Sequence, residues 1–205
     1  MMLVQPVYST EETLNFTYKV SNDLIKQNIE GCFIECGVAA GSQIGAMKQA
    51  IMDNNSDKII YAFDSYEGIP FASKHDYDQP GIGEKDLTKL GLLKTTGVSS
   101  HSLESVIENF NRWKLNTDNV KFIKGWFQDT VKVKAKEIKD IALLRLDGDL
   151  YESTLVPLKY LFKKVVKGGY VIIDDYSLPG CRKAVLKYID ESEIKFHHDI
   201  AYFIK

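Results

Sequence analysis

Apolar runs of strand length recur along this chain, each ending at a glycine turn or an acid and each followed by helical patterning. Cys32–Cys36 (CFIEC) leads through a glycine-containing turn into a helix from about Ser42 to Met52, and Lys58–Phe63 (KIIYAF) ends at Asp64. Leu103–Trp113 reads as a helix, Val120–Ile123 as a strand, and a short helix starts near Asp129. Ile141–Leu146 stops at Asp147, and Ser153 and Thr154 then open a helix to about Lys167, with Pro157 tolerable only in its first turn. Gly168 and Gly169 are expected to stop that helix before a fifth strand, Tyr170–Ile173. Residues 180–192 pattern as an amphipathic helix, and the tail KFHHDIAYFIK as a bent strand or tight hairpin. Such alternation predicts an α/β fold, a doubly wound, mostly parallel sheet in three α/β/α layers. Ligands in such a sheet sit outside the carboxyl ends of the strands, near the switch point. A helix over residues 11–29 precedes the first strand. The expected organisation is therefore a helical segment, 1–30, and one domain over 31–205, a single-domain length.

Acids crowd those strand ends. Asp147 and Asp149 lie in IALLRLDGDLYEST, and Asp174 and Asp175 in GGYVIIDDY. Carboxylates brought that close repel one another and partly protonate unless a cation sits among them. A hard divalent ion such as magnesium, which takes carboxylates plus waters, meets that requirement. An arginine partner, Arg145 or Arg182, or a structural cap is the competing account of Asp147, Asp174 and Asp175. Asp149 has its own alternative as a turn or helix-capping carboxylate before Ser153. Tyr151 and Tyr176 flank the acids and belong either to a pocket or to the core.

The first strand and turn read FIECGVAAGSQIGAM. Gly37 and Gly41 bracket a turn that lets a ligand approach the backbone, with Cys36 a small residue at its edge, and Ser42 can cap the helix or touch the ligand. The pattern is not GxGxxG, which counts against a nicotinamide-dependent oxidoreductase. Glu35 would repel a pyrophosphate but could hydrogen-bond the cationic amino-acid end of S-adenosylmethionine, directly or through water. Asp64, with Ser65 beside it, stands where an acid accepts hydrogen bonds from both ribose hydroxyls of a nucleoside. In GWFQDT, an adenine could lie against Trp126 or Phe127 and bond Gln128 or Asp129. Core packing of the two aromatics and helix capping by Asp129 are the bland alternatives.

The remaining features narrow the setting. A formal net charge of -2 and no basic stripe with interleaved aromatics give no case for nucleic acid. Lys132, Lys134, Lys136 and Lys139 read as a solvated helix face. Three cysteines without a CxxC pair suit a reducing cytosol. The start, MMLVQPVYSTEETLNF, lacks signal-peptide patterning, and no apolar run approaches membrane-spanning length, so a cytoplasmic protein without membrane association is the expectation. The stretch 65–98 is long enough for a lid or binding loop, its acids Asp76, Asp78, Glu84 and Asp86 reading as solvated. His197 and His198 lie far in sequence from the acids, one of them read as an edge-strand surface residue.

The stretches IECGVAAGSQIGAM, YAFDSYEGIP, VKFIKGWFQDT, LLRLDGDLYEST and GGYVIIDDY resemble, in this order, the macrocin O-methyltransferase (TylF) family. These are metal-dependent methyltransferases of sugar hydroxyls on macrolide and aminocoumarin antibiotics. The resemblance spans about residues 31–205 and implies a Rossmann-like class I methyltransferase fold, S-adenosylmethionine, and Mg2+ held by Asp147, Asp174 and Asp175, with Asp149 as general base. A homodimer is a family-level expectation. Ala39 and Ala40 stand where the family has a bulky residue and an arginine, and the amino-terminal portion is short beside antibiotic-tailoring members. The acceptor implied is therefore a hydroxyl of a small molecule or glycan, with a surface sugar as eligible as a secondary metabolite. A catechol-type enzyme would share the metal site but place a lysine where this chain offers Asp149, and a non-catalytic subunit would have no need of all four acids.

Overall fold

The computed structural model describes residues 2–76 and 95–205. The expected Asp78, Glu84 and Asp86 of the long loop lie outside the described residues. Strands β1 (Cys32–Cys36), β2 (Ile60–Asp64), β3 (Val120–Lys124), β4 (Ile141–Leu146), β5 (Val165–Ile173), β6 (Lys195–His197) and β7 (Ile200–Ile204) form one seven-stranded sheet. Its order is β3-β2-β1-β4-β5-β7-β6, with β1 to β5 parallel and β7 antiparallel to both neighbours. The order reverses between β1 and β4, so their carboxyl ends flank the switch point.

Alternation along the strands feeds two apolar layers. Phe33, Ile60, Ala62, Leu143 and Ile172 pack with helices α1 (Glu11–Lys26), α2 (Ser42–Asp53) and α3 (Leu103–Arg112). Ile34, Tyr61, Phe63, Leu144 and Ile173 pack with α4 (Phe127–Lys134), α5 (Tyr151–Leu161) and α6 (Pro179–Val185). The doubly wound, three-layer arrangement expected from the alternation is therefore present. Thr10 caps α1 through its side chain, which accepts from the Thr13 N–H, and the helix buries Leu14, Val20 and Leu24 in the same cluster as the sheet.

Three expectations are corrected. The helix after β4 begins at Tyr151 rather than at Ser153, and it carries Pro157 in its body, forgoing the bond a proline lacks the N–H to make. It ends at Leu161, not near Lys167, because Val165 already pairs with Ile141. Gly168 and Gly169 lie inside β5, where register jumps from Ile141–Val165 to Leu143–Tyr170; Gly168 takes φ +81° in that bulge. Finally, α6 stops at Val185, short of 192, and the tail is a hairpin of β6 and β7. Among the described residues, no helix is long and apolar enough to cross a membrane.

Candidate active site

At the switch point the turn after β1 presses against the end of β4. Gly37 takes φ +100°, and a Cβ there would lie 1.6 Å from the carbonyl oxygen of Asp147. Only glycine permits that approach. Asp64, at the end of β2, ties the same turn: Oδ2 accepts the N–H groups of Val38 and Ala39 at 2.7 and 3.1 Å, and Oδ1 accepts that of Tyr66 at 2.7 Å. Gly41, at φ +89°, precedes α2, where a Cβ would meet Val106 at 2.8 Å. Ser42 is engaged by the amino-terminal segment, accepting the Val7 N–H and donating to the Gln5 carbonyl.

A cavity of about 300 Å³ opens beside these elements. Gly37, Asp64, Ser65, Trp126, Phe127 and Gln128 line one part of it. Asp147, Asp149, Asp174 and Asp175 line another. Trp126 and Phe127 are half-buried and Gln128 is exposed, while Asp129 points to solvent in the first turn of α4 and does not line the cavity. Glu35, Cys36, Gly41 and Ser42 stand behind the cavity wall; Glu35 and Cys36 are 1% exposed. Tyr151 and Tyr176 are buried in the packing around the site rather than in its lining. His198 is exposed, and His197 stacks on Phe16 at 4.4 Å.

The acids meet a cation that the apolar run IALLRL carries within it. Arg145 donates to Glu35 at 2.8 Å, to Asp147 at 2.5 Å, and to Asp174. Of the two arginines considered as partners, Arg182 instead pairs with Glu191 on the surface. One guanidinium does not settle the charge. Burial, then the charge of Asp174, push the Asp147 carboxyl up to about 7 against the pull of Arg145. The same two causes bring Asp149 up to about 6, and burial together with the other three acids raises Asp175 well above the usual carboxylate range. Glu35 is pushed up to about 8 by burial despite Arg145. Asp147, Asp174 and Asp175 each offer one oxygen within 4.8 Å of the others, a set of hard donors with an excess of negative charge. Those residues fit a divalent cation such as magnesium, its remaining positions left to water or substrate oxygen.

Asp149 is held by its backbone. It takes φ +59°, and its N–H donates to Asp175 Oδ2 at 2.8 Å. The helix cap that follows is Leu150, whose side chain makes no cap bond; Asp149 therefore does not act as the capping carboxylate of α5.

Sequence reasoning missed Asp76, which is 1% exposed rather than solvated. Its Oδ1 accepts the Tyr151 N–H at 2.7 Å, and its Oδ2 accepts the Ser73 N–H and hydroxyl at 3.0 and 2.6 Å. Nothing in a polar loop marks one acid among several for burial. Tyr8 was also missed: it lines the cavity mouth, edge-on to His101 at 5.2 Å. The Glu35–Arg145 pair had a legible signal, one opposite charge inside each of two apolar runs.

Comparison with known proteins places this geometry. The pattern of the macrocin-O-methyltransferase (TylF) family matches residues 10–201. The chain is 38% identical over 181 residues to demethyldecarbamoylnovobiocin O-methyltransferase of Streptomyces niveus, covering 87% of this chain and 63% of that one. It is 35% identical over 178 residues to 8-demethyl-8-(2,3-dimethoxy-alpha-L-rhamnosyl)-tetracenomycin-C 4'-O-methyltransferase of Streptomyces olivaceus, covering 85% and 63%. The chain thus spans under two thirds of the length of these relatives. The solved structure of the O-methyltransferase NovP superposes with a TM-score of 0.79 at 32% identity, over 95% of this chain and 79% of that one. The sheet is accordingly the Rossmann-like class I methyltransferase type.

Proposed function

The chain belongs to the macrocin-O-methyltransferase (TylF) family, and from that premise we propose that it is an S-adenosylmethionine- and Mg2+-dependent O-methyltransferase acting on a sugar hydroxyl, in a small molecule or a glycan. The observation that carries the reading is a single cavity lined by Gly37, Asp64, Trp126 and Phe127 together with Asp147, Asp149, Asp174 and Asp175. The second relative named above carries, by its name, a rhamnosyl group on its substrate, and the sugar acceptor is taken from it. The same reading takes the protein as cytoplasmic and homodimeric.

In this proposal Asp147, Asp174 and Asp175 hold the magnesium, and Gly37, Asp64, Ser65, Trp126, Phe127 and Gln128 border the nucleoside, with Glu35, Cys36, Gly41 and Ser42 framing the turn from behind. When bound, S-adenosylmethionine supplies an activated methyl group, and magnesium supplies Lewis acidity that makes a neighbouring hydroxyl easier to deprotonate. The chain's own work is alignment and proton transfer. The cavity walls hold donor and acceptor in one orientation, which replaces an encounter between free reactants. Asp149, on a backbone pinned to Asp175, accepts the acceptor's hydroxyl proton on its carboxylate as the oxygen attacks.

Calorimetry with S-adenosylmethionine, with and without magnesium, tests the reading, followed by a methyl-transfer screen on vicinal-diol sugars. Binding strengthened by acceptor and metal, and a methylated sugar, are expected. No binding of S-adenosylmethionine would overturn it.

A further inference from the structure

Arg145 lies in β4 directly opposite Glu35 of β1, and both side chains are 1% exposed. Its Nη1 donates to Glu35 Oε1 at 2.8 Å and to Asp147 Oδ2 at 2.5 Å, while Nη2 donates to Asp174 Oδ1. The third acid is treated alike by a different donor, since Asp175 Oδ2 accepts the Asp149 N–H. Each of the three carboxylates therefore has one oxygen engaged. Among the described residues, no hydrogen bond engages Asp147 Oδ1, Asp174 Oδ2 or Asp175 Oδ1. That is the pattern a cation needs, one free oxygen per acid with the other fixed from outside.

We propose that Arg145, anchored by Glu35, is a positioning residue that orients Asp147 and Asp174 to receive a divalent cation. The proposal rests on the metal reading of those acids. A planar guanidinium can hold two carboxylates at a fixed angle to one another, which a lysine ammonium cannot. Glu35 supplies the anchor: its Oε1 accepts from Nη1 and fixes the guanidinium where it reaches both acids. Stability does not explain the arrangement. Glu35 Oε2 and Arg145 Nε are buried without a hydrogen-bond partner, and a buried ion pair with unsatisfied atoms is a poor source of folding energy.

The rival account makes Arg145 a counter-charge that merely calms the acids, and the two differ in sign. A counter-charge competes with a metal, so its removal tightens metal binding; a positioning donor's removal weakens it. The test is titration of the full chain with Mn2+, followed by electron paramagnetic resonance, on the wild type, Arg145→Met, Arg145→Lys and Glu35→Gln, with thermal unfolding of each. Loss of an outer-sphere partner is expected to weaken Mn2+ binding by about ten- to a hundredfold in Arg145→Met, with Arg145→Lys failing to restore it, and by about tenfold in Glu35→Gln. Unchanged or tighter binding in Arg145→Met, full rescue by lysine, or lowered stability with unchanged Mn2+ affinity would each overturn the proposal. Should Arg145→Met not fold, Arg145→Lys and Glu35→Gln decide by the same criteria. A wild type that binds no Mn2+ overturns the metal reading itself, an outcome distinct from a wild type that binds and variants that bind equally well.

Discussion

Asp76 reaches across the fold to accept the backbone N–H of Tyr151 at 2.7 Å, 75 residues away in sequence. Tyr151 opens α5, whose own cap position holds Leu150, a residue with no acceptor to offer. The segment entering the long loop thus supplies from outside the acceptor that the helix lacks, and its negative charge suits the positive end of the helix. Asp149 lies two residues before Tyr151, so the backbone is tied at Asp149 by Asp175 and two residues further on by Asp76.

Replacing Asp76 by alanine leaves the N–H groups of Tyr151 and Ser73 and the Ser73 hydroxyl without their acceptor. The expected loss is about 1–3 kcal/mol in urea denaturation, accompanied by faster hydrogen exchange at Tyr151. Asp76→Asn keeps one acceptor oxygen and should retain more of the stability. Wild-type stability and exchange in the alanine variant would show that the contact contributes nothing.

Asp149→Asn preserves the Asp149 N–H bond to Asp175, and asparagine tolerates the left-handed φ of +59°. Mn2+ and S-adenosylmethionine affinities should therefore stay near wild type while turnover drops by about 10²–10⁴-fold. Near-normal turnover would remove Asp149 from the role of base.

The crowded acids set a pH dependence. Glu35, Asp147 and Asp149 are raised in the folded protein to about 8, 7 and 6. Between pH 4 and 8, by order of magnitude, the folded state holds protons that the unfolded chain has released, so stability falls as pH rises through that window. Magnesium should counter part of the fall, because at Asp147 and Asp175 it takes the place of a proton. Melting temperature measured in EDTA is expected to decrease from pH 5.5 to pH 8, and the increment from added Mg2+ to be larger at pH 8. An EDTA profile that rises with pH over this range would contradict the arrangement.

Gly37 and Gly97 separate two costs of a side chain. Both take positive φ, +100° and +80°, but an added Cβ at Gly97 meets nothing within 4 Å, whereas at Gly37 it collides with Asp147 backbone. Gly97→Ala should cost about 1–2 kcal/mol from backbone conformation alone. Gly37→Ala should cost clearly more and abolish S-adenosylmethionine binding, since β1 and β4 must part to admit it. Equal urea midpoints for the two variants would remove the close approach from the account.

The strands and the acids at their ends were legible because burial on both faces leaves continuous apolar runs, and carboxyl ends face the crevice. Ile141–Leu146 has the same bounds in sequence reading and structure. Element ends set by tertiary pairing were not. The bulge at Gly168–Gly169 meets Lys205, just past β7: the Lys205 carbonyl accepts the Gly168 N–H and the Lys205 N–H donates to the Gly169 carbonyl. Local pattern alone therefore read the two glycines as a helix stop. At the site, the sequence offered Arg145 and Arg182 alike as partners for the acids, and both the choice of Arg145 and the division of each carboxylate into one bonded and one free oxygen are matters of geometry. Asp76 carried no mark at all, because its burial is decided by the helix it meets.

The reversed direction of β7 has a practical consequence. Ile204 pairs with Tyr170, and the Lys205 backbone beyond it bonds Gly168 and Gly169, toward the amino end of β5, whereas Asp174 lines the cavity past its carboxyl end. An affinity handle or surface tether joined to Lys205 therefore starts near the amino ends of the parallel strands and leaves the cavity at their carboxyl ends clear.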